Sequence, residues 1–319
     1  MRHVFLGTSA FAAAVLERLV TGGQPPLLVV SRPDRPAGRG RRLSSPPVVE
    51  AARRLDLEAF QPEDLHAPET QSRLASLAPE ALTVCAYGVL IREPLLTAFE
   101  VLNVHPSLLP RWRGAAPIER ALMAGDATTG VSIMRLVEAL DAGPICLQEP
   151  EPIRPDDDAG SLGERLQALG GELLLRALAE RPPFHEQPDA GVTYAEKIES
   201  RDRLVDHGNP VAVEHRRVRA LSPDVGARLE LPDETMLGVR AARPFDAGEA
   251  DAAQRSPVGP GVLGAVDGRL LLGCRDGALE LLEVQPAGGR AMPASAWLNG
   301  RVGAALAQTA LRLPPPPRT

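Results

Sequence analysis

Aromatic residues are scarce in this 319-residue chain, at 3% of the composition. That scarcity argues against broad base-stacking platforms. Cysteine is scarce too. Cys85, Cys146 and Cys274 are too few and too scattered for a disulfide framework, which points to a reducing compartment, the cytoplasm. Lysine is almost missing: Lys197 is the only one, and arginine carries nearly all the positive charge. The sequence has no CxxC and no HExxH, and its six histidines are dispersed, so no metal centre is expected. It also lacks a G-x-S-x-G elbow and a Walker motif, which removes serine-hydrolase and ATPase readings. The longest nearly apolar stretch, Ala81 to Ile91, falls short of the ~20 residues of a membrane span. The first residues do not follow the order of a signal peptide. Basic residues number 35 against 41 acidic, a net charge of −6. That argues against a general nucleic-acid coat, but net charge averages over the surface and leaves room for a local basic patch.

What is present reads as about two domains by length, with 44% apolar residues to build cores. His3 to Gly7, Leu27 to Val30, Leu82 to Cys85 and Val101 to Val104 are short apolar runs without polar alternation, as in strands covered on both faces. Helical patterns lie between them. Phe11, Val15, Leu16, Leu19 and Val20 share one helical face behind a Ser9 or Thr8 cap. This alternation predicts an α/β fold with a mostly parallel sheet. Thr129 to Val137 and Gly143 to Pro150 read as two more strands, and Gly160 to Ala179 as a long helix. From about Arg203 the texture changes to short strands with Asp-Gly turns, a smaller β-rich barrel or sandwich. The polar, proline-containing stretch before it reads as a linker. Pro314 to Pro317 reads as a stiff, disordered tail.

Several segments carry residue types suited to chemistry. Gly7-Thr8-Ser9 follows a strand and opens a helix, but the later glycines of a dinucleotide fingerprint are absent, so a tight turn is the simpler reading. Asn103 and His105 alternate at the end of an apolar strand, so both side chains leave one face. An amide and an imidazole aimed together suit an oxyanion. A structural histidine before Pro106 is the competing reading. Asp141, in Leu140-Asp141-Ala142-Gly143-Pro144, suits a general base or an orienting group as well as an ordinary turn. Arg32 to Arg42 holds five arginines and one aspartate on a Gly/Pro-rich backbone. Such a loop suits RNA phosphates, and equally an exposed loop in an arginine-biased chain. Trp112, between Arg111 and Arg113, suits a cleft wall or a helix anchor. Cys85 lies inside an apolar strand, as inert packing does.

Taken together, Asn103-Val-His105, Ser107-Leu-Leu-Pro110 and Leu140-Asp141-Ala-Gly-Pro144 resemble the signature of formyltransferases that use 10-formyltetrahydrofolate. Pro33-Asp-Arg-Pro-Ala-Gly-Arg-Gly40, Ala86-Tyr-Gly88, Arg111-Trp-Arg-Gly-Ala-Ala-Pro-Ile118, Thr193-Tyr-Ala-Glu-Lys197 and Gln285-Pro-Ala-Gly288 are similar to the branch that acts on methionyl-tRNA. The resemblance implies a Rossmann-like catalytic domain over 1–184, a linker over 185–204, an OB-like tRNA-binding domain over 205–310 and a disordered tail over 311–319. It implies Asn103, His105 and Asp141 as the catalytic trio. Ser107, Leu108, Leu109, Pro110, Tyr87 and Gly88 would line the folate site, and Arg35, Arg39, Arg41 and Arg42 would contact tRNA. The implied co-substrate is 10-formyltetrahydrofolate, with no metal. The implied partners are folate and initiator methionyl-tRNA, for a cytoplasmic monomer without a membrane partner. Val205-Asp-His207 and Leu221-Ser-Pro-Asp224 depart from the family pattern in the C-terminal domain.

Overall fold

The apolar run His3–Gly7 is buried along its whole length and lies inside a seven-stranded sheet. The computed structural model describes residues 1–37, 42–246, 257–300 and 311–314. From one edge to the other the strands are Ile145–Pro152, Thr128–Arg135, Glu100–His105, Ala81–Cys85, His3–Gly7, Val29–Val30 and Ala59–Phe60. The last five are parallel to one another, and Thr128–Arg135 runs antiparallel to both of its neighbours, Glu100–His105 and Ile145–Pro152. Chain order runs outward from His3–Gly7 in both directions. In such sheets the crevice outside the carboxyl ends of the central strands receives ligands.

Helices cover the apolar strands. Ser9 caps Ala10–Thr21 by accepting a hydrogen bond from the Ala12 amide at 3.3 Å, and Ala12, Val15, Leu16 and Leu19 are buried. Each such leucine contributes about 1.5–3 kcal/mol by burial. Pro47–Arg54 and Pro68–Ser76 both begin with proline, which has no amide to leave unpaired there. The long helix is Ala159–Glu180. Val4, Leu6, Leu28, Val30, Leu82, Val84 and Val101 are among the residues of one buried cluster.

The chain divides into two compact units. One contains Met1–Pro117, Ala127–Ile153 and Leu162–Glu196, and the other Ile118–Asp126, Arg154–Ser161 and Lys197–Thr319. The second unit holds an antiparallel sheet in the order Ala227–Glu230, Met236–Pro244, Gly277–Gln285, Arg269–Cys274, Val262–Val266, Leu311–Arg312, with Met292–Pro293 also on Gly277–Gln285. Register shifts after Val239 and Ala241 bend the second strand and help curl the sheet over its core. Leu229, Leu237, Val239, Leu270, Leu272, Leu281 and Trp297 fill that core. Asp267 and Gly268 both have positive φ, the geometry of the two-residue hairpin that an Asp-Gly pair favours.

Two expectations need correction. Residues 185–196 belong to the unit that carries the parallel sheet, where His185 bridges to Ile145 and Tyr194–Ala195 pairs in parallel with Arg113–Gly114. Polar composition suggested a linker there, but the polar groups are used inside the unit. The expected tail from 311 begins instead with a strand paired to Val262–Val266, and Leu313 is buried. Residues 315–319 lie outside the described residues. Among the described residues no helix is long and apolar enough to cross a membrane.

Candidate active site

Glu100–His105 is parallel to Ala81–Cys85 and ends at the carboxyl edge of the sheet. Its alternation carries Asn103 and His105 to one face, as the sequence predicts. His105 is buried, and its Nε2 lies 2.8 Å from the Trp112 carbonyl. A carbonyl only accepts, so Nε2 carries a proton and donates it there. Nδ1 then faces Asp141 Oδ2 at 3.7 Å, beyond a hydrogen bond but within ion-pair reach. Asn103 is half-buried, and its carboxamide has no hydrogen-bond partner among the described residues.

Asp141 has φ +44, in the left-handed region that a non-glycine residue rarely adopts. Two contacts hold it. Its Oδ2 accepts the Gly114 amide at 2.8 Å, and its carbonyl accepts Gln187 Nε2 at 2.8 Å. Gln187 also donates to the Gly143 carbonyl at 2.8 Å, while its Oε1 accepts both Arg113 Nε and Nη2. Gly114 has φ +120, and a Cβ there would lie 2.8 Å from the Ala195 carbonyl oxygen. Only glycine brings that amide to Asp141 while Ala195 packs behind it. The carbonyl of Trp112 is fixed in turn: its amide donates to Thr193 Oγ1 at 2.9 Å, and Arg111 stacks on its ring.

Gln187 was missed in the sequence because a polar stretch with three prolines looks like a connector, and Thr193 was noted within the Thr193 to Lys197 segment but given no role. No local signal distinguishes a glutamine that bridges two carbonyls from a solvated one.

The Ser107 to Pro110 segment is built by an internal network. Ser107 is fully buried and its hydroxyl donates to the Arg111 carbonyl at 2.6 Å. Ser132 donates to the Ser107 carbonyl, and Gln148 donates to Ser132 Oγ and the Leu109 carbonyl. Ser107 therefore shapes the loop and has no free hydroxyl. Tyr87 is buried in the apolar cluster, which pushes its phenol up to about 12. Gly88 is exposed, followed by the exposed apolar side chains of Val89 and Leu90; Leu140, next to Asp141, is exposed as well. Cys85 is fully buried, and burial raises its thiol pKa, so packing is its role.

In the arginine-rich segment, Arg35–Ala37 pairs with Arg42–Ser44 as a hairpin. Asp34 anchors its base by accepting from Ser45 Oγ and Gln61 Nε2. Arg35 is exposed. Arg39 and Arg41 lie outside the described residues. Among the described residues no cluster of three or more histidine, cysteine or acidic side chains is arranged to hold a metal ion.

Comparison with known proteins shows the family and agrees with the fold. Residues 1–178 match the family model described as formyl transferase, and residues 197–302 match formyl transferase, C-terminal domain. The methionyl-tRNA formyltransferase of Halorhodospira halophila is 45% identical over 94% of this chain and 96% of its own length. That of Methylococcus capsulatus is 43% identical, with the same coverage. Among solved structures, HypX from Aquifex aeolicus in complex with tetrahydrofolic acid has a TM-score of 0.62 at 20% identity, over 94% of this chain and 47% of that one. The N-formyltransferase of Helicobacter canadensis, with folinic acid and dTDP-3-aminofucose, has a TM-score of 0.61 at 14% identity, over 88% and 98%. These two likenesses support the fold.

Proposed function

The chain belongs to the formyl transferase family, and from that premise we propose that Asn103, His105 and Asp141 carry its reaction. The enzyme transfers a formyl group from 10-formyltetrahydrofolate to the α-amino group of methionyl-tRNA, the step that prepares translation initiation. The observation that carries the assignment of the trio is their convergence: an amide without a partner among the described residues and an imidazole Nδ1 that faces a carboxylate at 3.7 Å.

Attack of the amino nitrogen on the formyl carbon moves the carbonyl pair onto oxygen. Asn103 Nδ2–H and the Nδ1–H of a protonated His105 donate to that oxygen. Trp112 keeps the ring oriented from behind through Nε2. Asp141 has one oxygen held by the Gly114 amide, so its other oxygen is the one aimed at the proton of the attacking nitrogen. That proton passes on to N10 of the folate, which leaves as an amine. The residues present fit the co-substrate: Gly88, Val89, Leu90 and Leu140 offer backbone and apolar surface for its ring system, and Leu108 to Pro110 form a wall held by Ser132 and Gln148.

Arg35, Arg39, Arg41 and Arg42 form the contact to the tRNA, in this reading to the initiator in particular. Five arginines within eleven residues supply forks that suit phosphate oxygens. Three free cysteines fit the cytoplasm. The test is transfer of labelled formyl to methionyl-tRNA, with uncharged tRNA and free methionine as controls. Label confined to initiator methionyl-tRNA is the expected result. A small amine accepted equally well would refute the acceptor.

A further inference from the structure

The turn Gly7-Thr8-Ser9 takes no part in the trio, yet its threonine reaches a loop 79 residues away in the chain. That loop, residues 86–91, follows the buried strand Ala81–Cys85 at the carboxyl edge of the parallel sheet. Tyr87 and Ile91 peg it into the apolar cluster that also holds Leu65 and Leu74. Between the pegs Gly88, Val89 and Leu90 stand exposed, Leu90 at 60%. Ala86 has φ +42 and Gly88 φ +76, so the chain turns here through two left-handed residues. An alanine keeps that conformation only where its surroundings enforce it.

Two side chains supply the enforcement. Among the described residues no main-chain hydrogen bond holds residues 87–90. Thr8 Oγ1 donates to the Tyr87 carbonyl at 2.8 Å. His66 Nε2 lies 2.9 Å from the Leu90 carbonyl, and since a carbonyl only accepts, Nε2 is the donor. Both donors are themselves fixed. Thr8 stands between the strand His3–Gly7 and Ser9, the cap of the helix Ala10–Thr21. The His66 amide donates to Asp64 Oδ1 at 2.8 Å, and its carbonyl accepts Gln71 Nε2 at 2.8 Å. The Asp64 carbonyl accepts Thr70 Oγ1, from the helix Pro68–Ser76. The loop is thus clamped at both ends. The amides of Gly88, Val89 and Leu90 and the carbonyls of Gly88 and Val89 make no hydrogen bond among the described residues and are open to a ligand.

We propose that Thr8 and His66 are positioning residues for the folate co-substrate. By holding the carbonyls of Tyr87 and Leu90 they fix the open backbone of Gly88 to Leu90 in the form that receives the ring system. They set its affinity and take no part in formyl transfer, because neither side chain is bonded to Asn103, His105 or Asp141. The proposal rests on the reading above that this loop lines the folate site. A loop released from its clamps populates the receptive form for only part of the time, and apparent affinity falls by that fraction. One net hydrogen bond is worth about a fivefold shift in such an equilibrium.

The test uses the full chain, with folinic acid as the probe and binding followed by calorimetry. Thr8→Val keeps the shape and removes the donor; His66→Ala removes the other. Each is expected to weaken folinic acid binding by about three- to fivefold, and the double variant by about ten- to twenty-fivefold. In steady-state transfer KM for 10-formyltetrahydrofolate is expected to rise by the same factors, with kcat and KM for methionyl-tRNA within about twofold of wild type. Thr8→Ser and His66→Gln restore a donor at each place and are expected to restore affinity. Wild-type affinity in the double variant would overturn the proposal. So would weak binding in Thr8→Ser and His66→Gln, since the donors would then not be what matters, and so would a fall in kcat with affinity unchanged. Leu90→Asp, which puts a charge on the exposed face of the loop, separates the two levels. Affinity lost in Leu90→Asp but kept in the double variant refutes the positioning roles alone. Affinity kept in Leu90→Asp as well refutes the reading that this loop receives the folate.

Discussion

Gln187 lies outside the trio proposed to be catalytic, yet it holds the backbone that presents Asp141. Its Nε2 donates to the carbonyls of Asp141 and Gly143 at 2.8 Å each, and its Oε1 accepts from Arg113. Asp141 has φ +44, a conformation that costs on the order of 1–3 kcal/mol and persists only where the surroundings enforce it. Gln187→Glu keeps the shape and the acceptor for Arg113, but turns the donor into an acceptor facing two carbonyls. Two net hydrogen bonds of about 1 kcal/mol each are lost, so the turn is released by ~2 kcal/mol. That shifts its population by about thirtyfold. The expected result is a fall in kcat of roughly that size, with KM for methionyl-tRNA nearly unchanged and a small loss in urea stability. The assay is steady-state formyl transfer together with urea unfolding of the same preparation. A Gln187→Glu enzyme with wild-type kcat would refute the reasoning, since the Arg113 contact alone would then suffice. A stability loss with no change in kcat would refute it equally, by showing that Gln187 only glues the fold.

Three further outcomes follow from the same geometry. Asn103→Ala is expected to lower kcat by about 10²–10³ while leaving the melting temperature in place, because the amide bonds to no group among the described residues; a large drop in melting temperature would contradict the free amide. Asp141→Asn keeps an oxygen for the Gly114 amide but loses the base, so single-turnover transfer is expected to fall by about 10²–10⁴ with folate binding retained, and an active variant would remove Asp141 from the chemistry. His3 is fully buried and burial lowers its pKa to about 4 from 6.5, so the unfolded chain takes up a proton that the folded one refuses. Stability should therefore decline as pH falls from about 6.5 to 4, by up to about 3 kcal/mol at this site. Urea unfolding at both pH values, in the wild type and in His3→Gln, checks it, and an equal slope in the two proteins would refute the assignment.

The parts of this molecule that were legible in the sequence are those whose signal is local. Leu16 and Leu19 sit at helical spacing behind a serine cap, and the helix runs from Ala10 to Thr21 as that pattern requires. Asp267-Gly268 specifies its turn type, and the hairpin forms there. Asn103 and His105 alternate in an apolar strand, which settles that they share a face before any neighbour is known. What was not legible depends on contacts between distant segments. The two-residue strand Ala59–Phe60 exists because Val29–Val30 offers it an edge. Leu311–Arg312 exists because Val262–Val266 does the same, so proline-rich composition beyond it misled the reading of the tail.

The same distinction explains the site. Residue types single out the groups proposed to react, but their aim is set by backbone atoms. The Trp112 carbonyl decides which nitrogen of His105 is free, and the Gly114 amide decides which oxygen of Asp141 is free. Both are fixed by 193–195, a segment about eighty residues away along the chain. Backbone donors and acceptors are present at every position, so composition cannot mark them. Gly114 is the partial exception. Its amide must approach Asp141 while Ala195 packs against its α-carbon, and that double demand leaves a glycine in the sequence as its trace. The aim of the trio is therefore a tertiary property, and the substitutions that test it lie as much in 112–114 and 187–195 as in the trio itself.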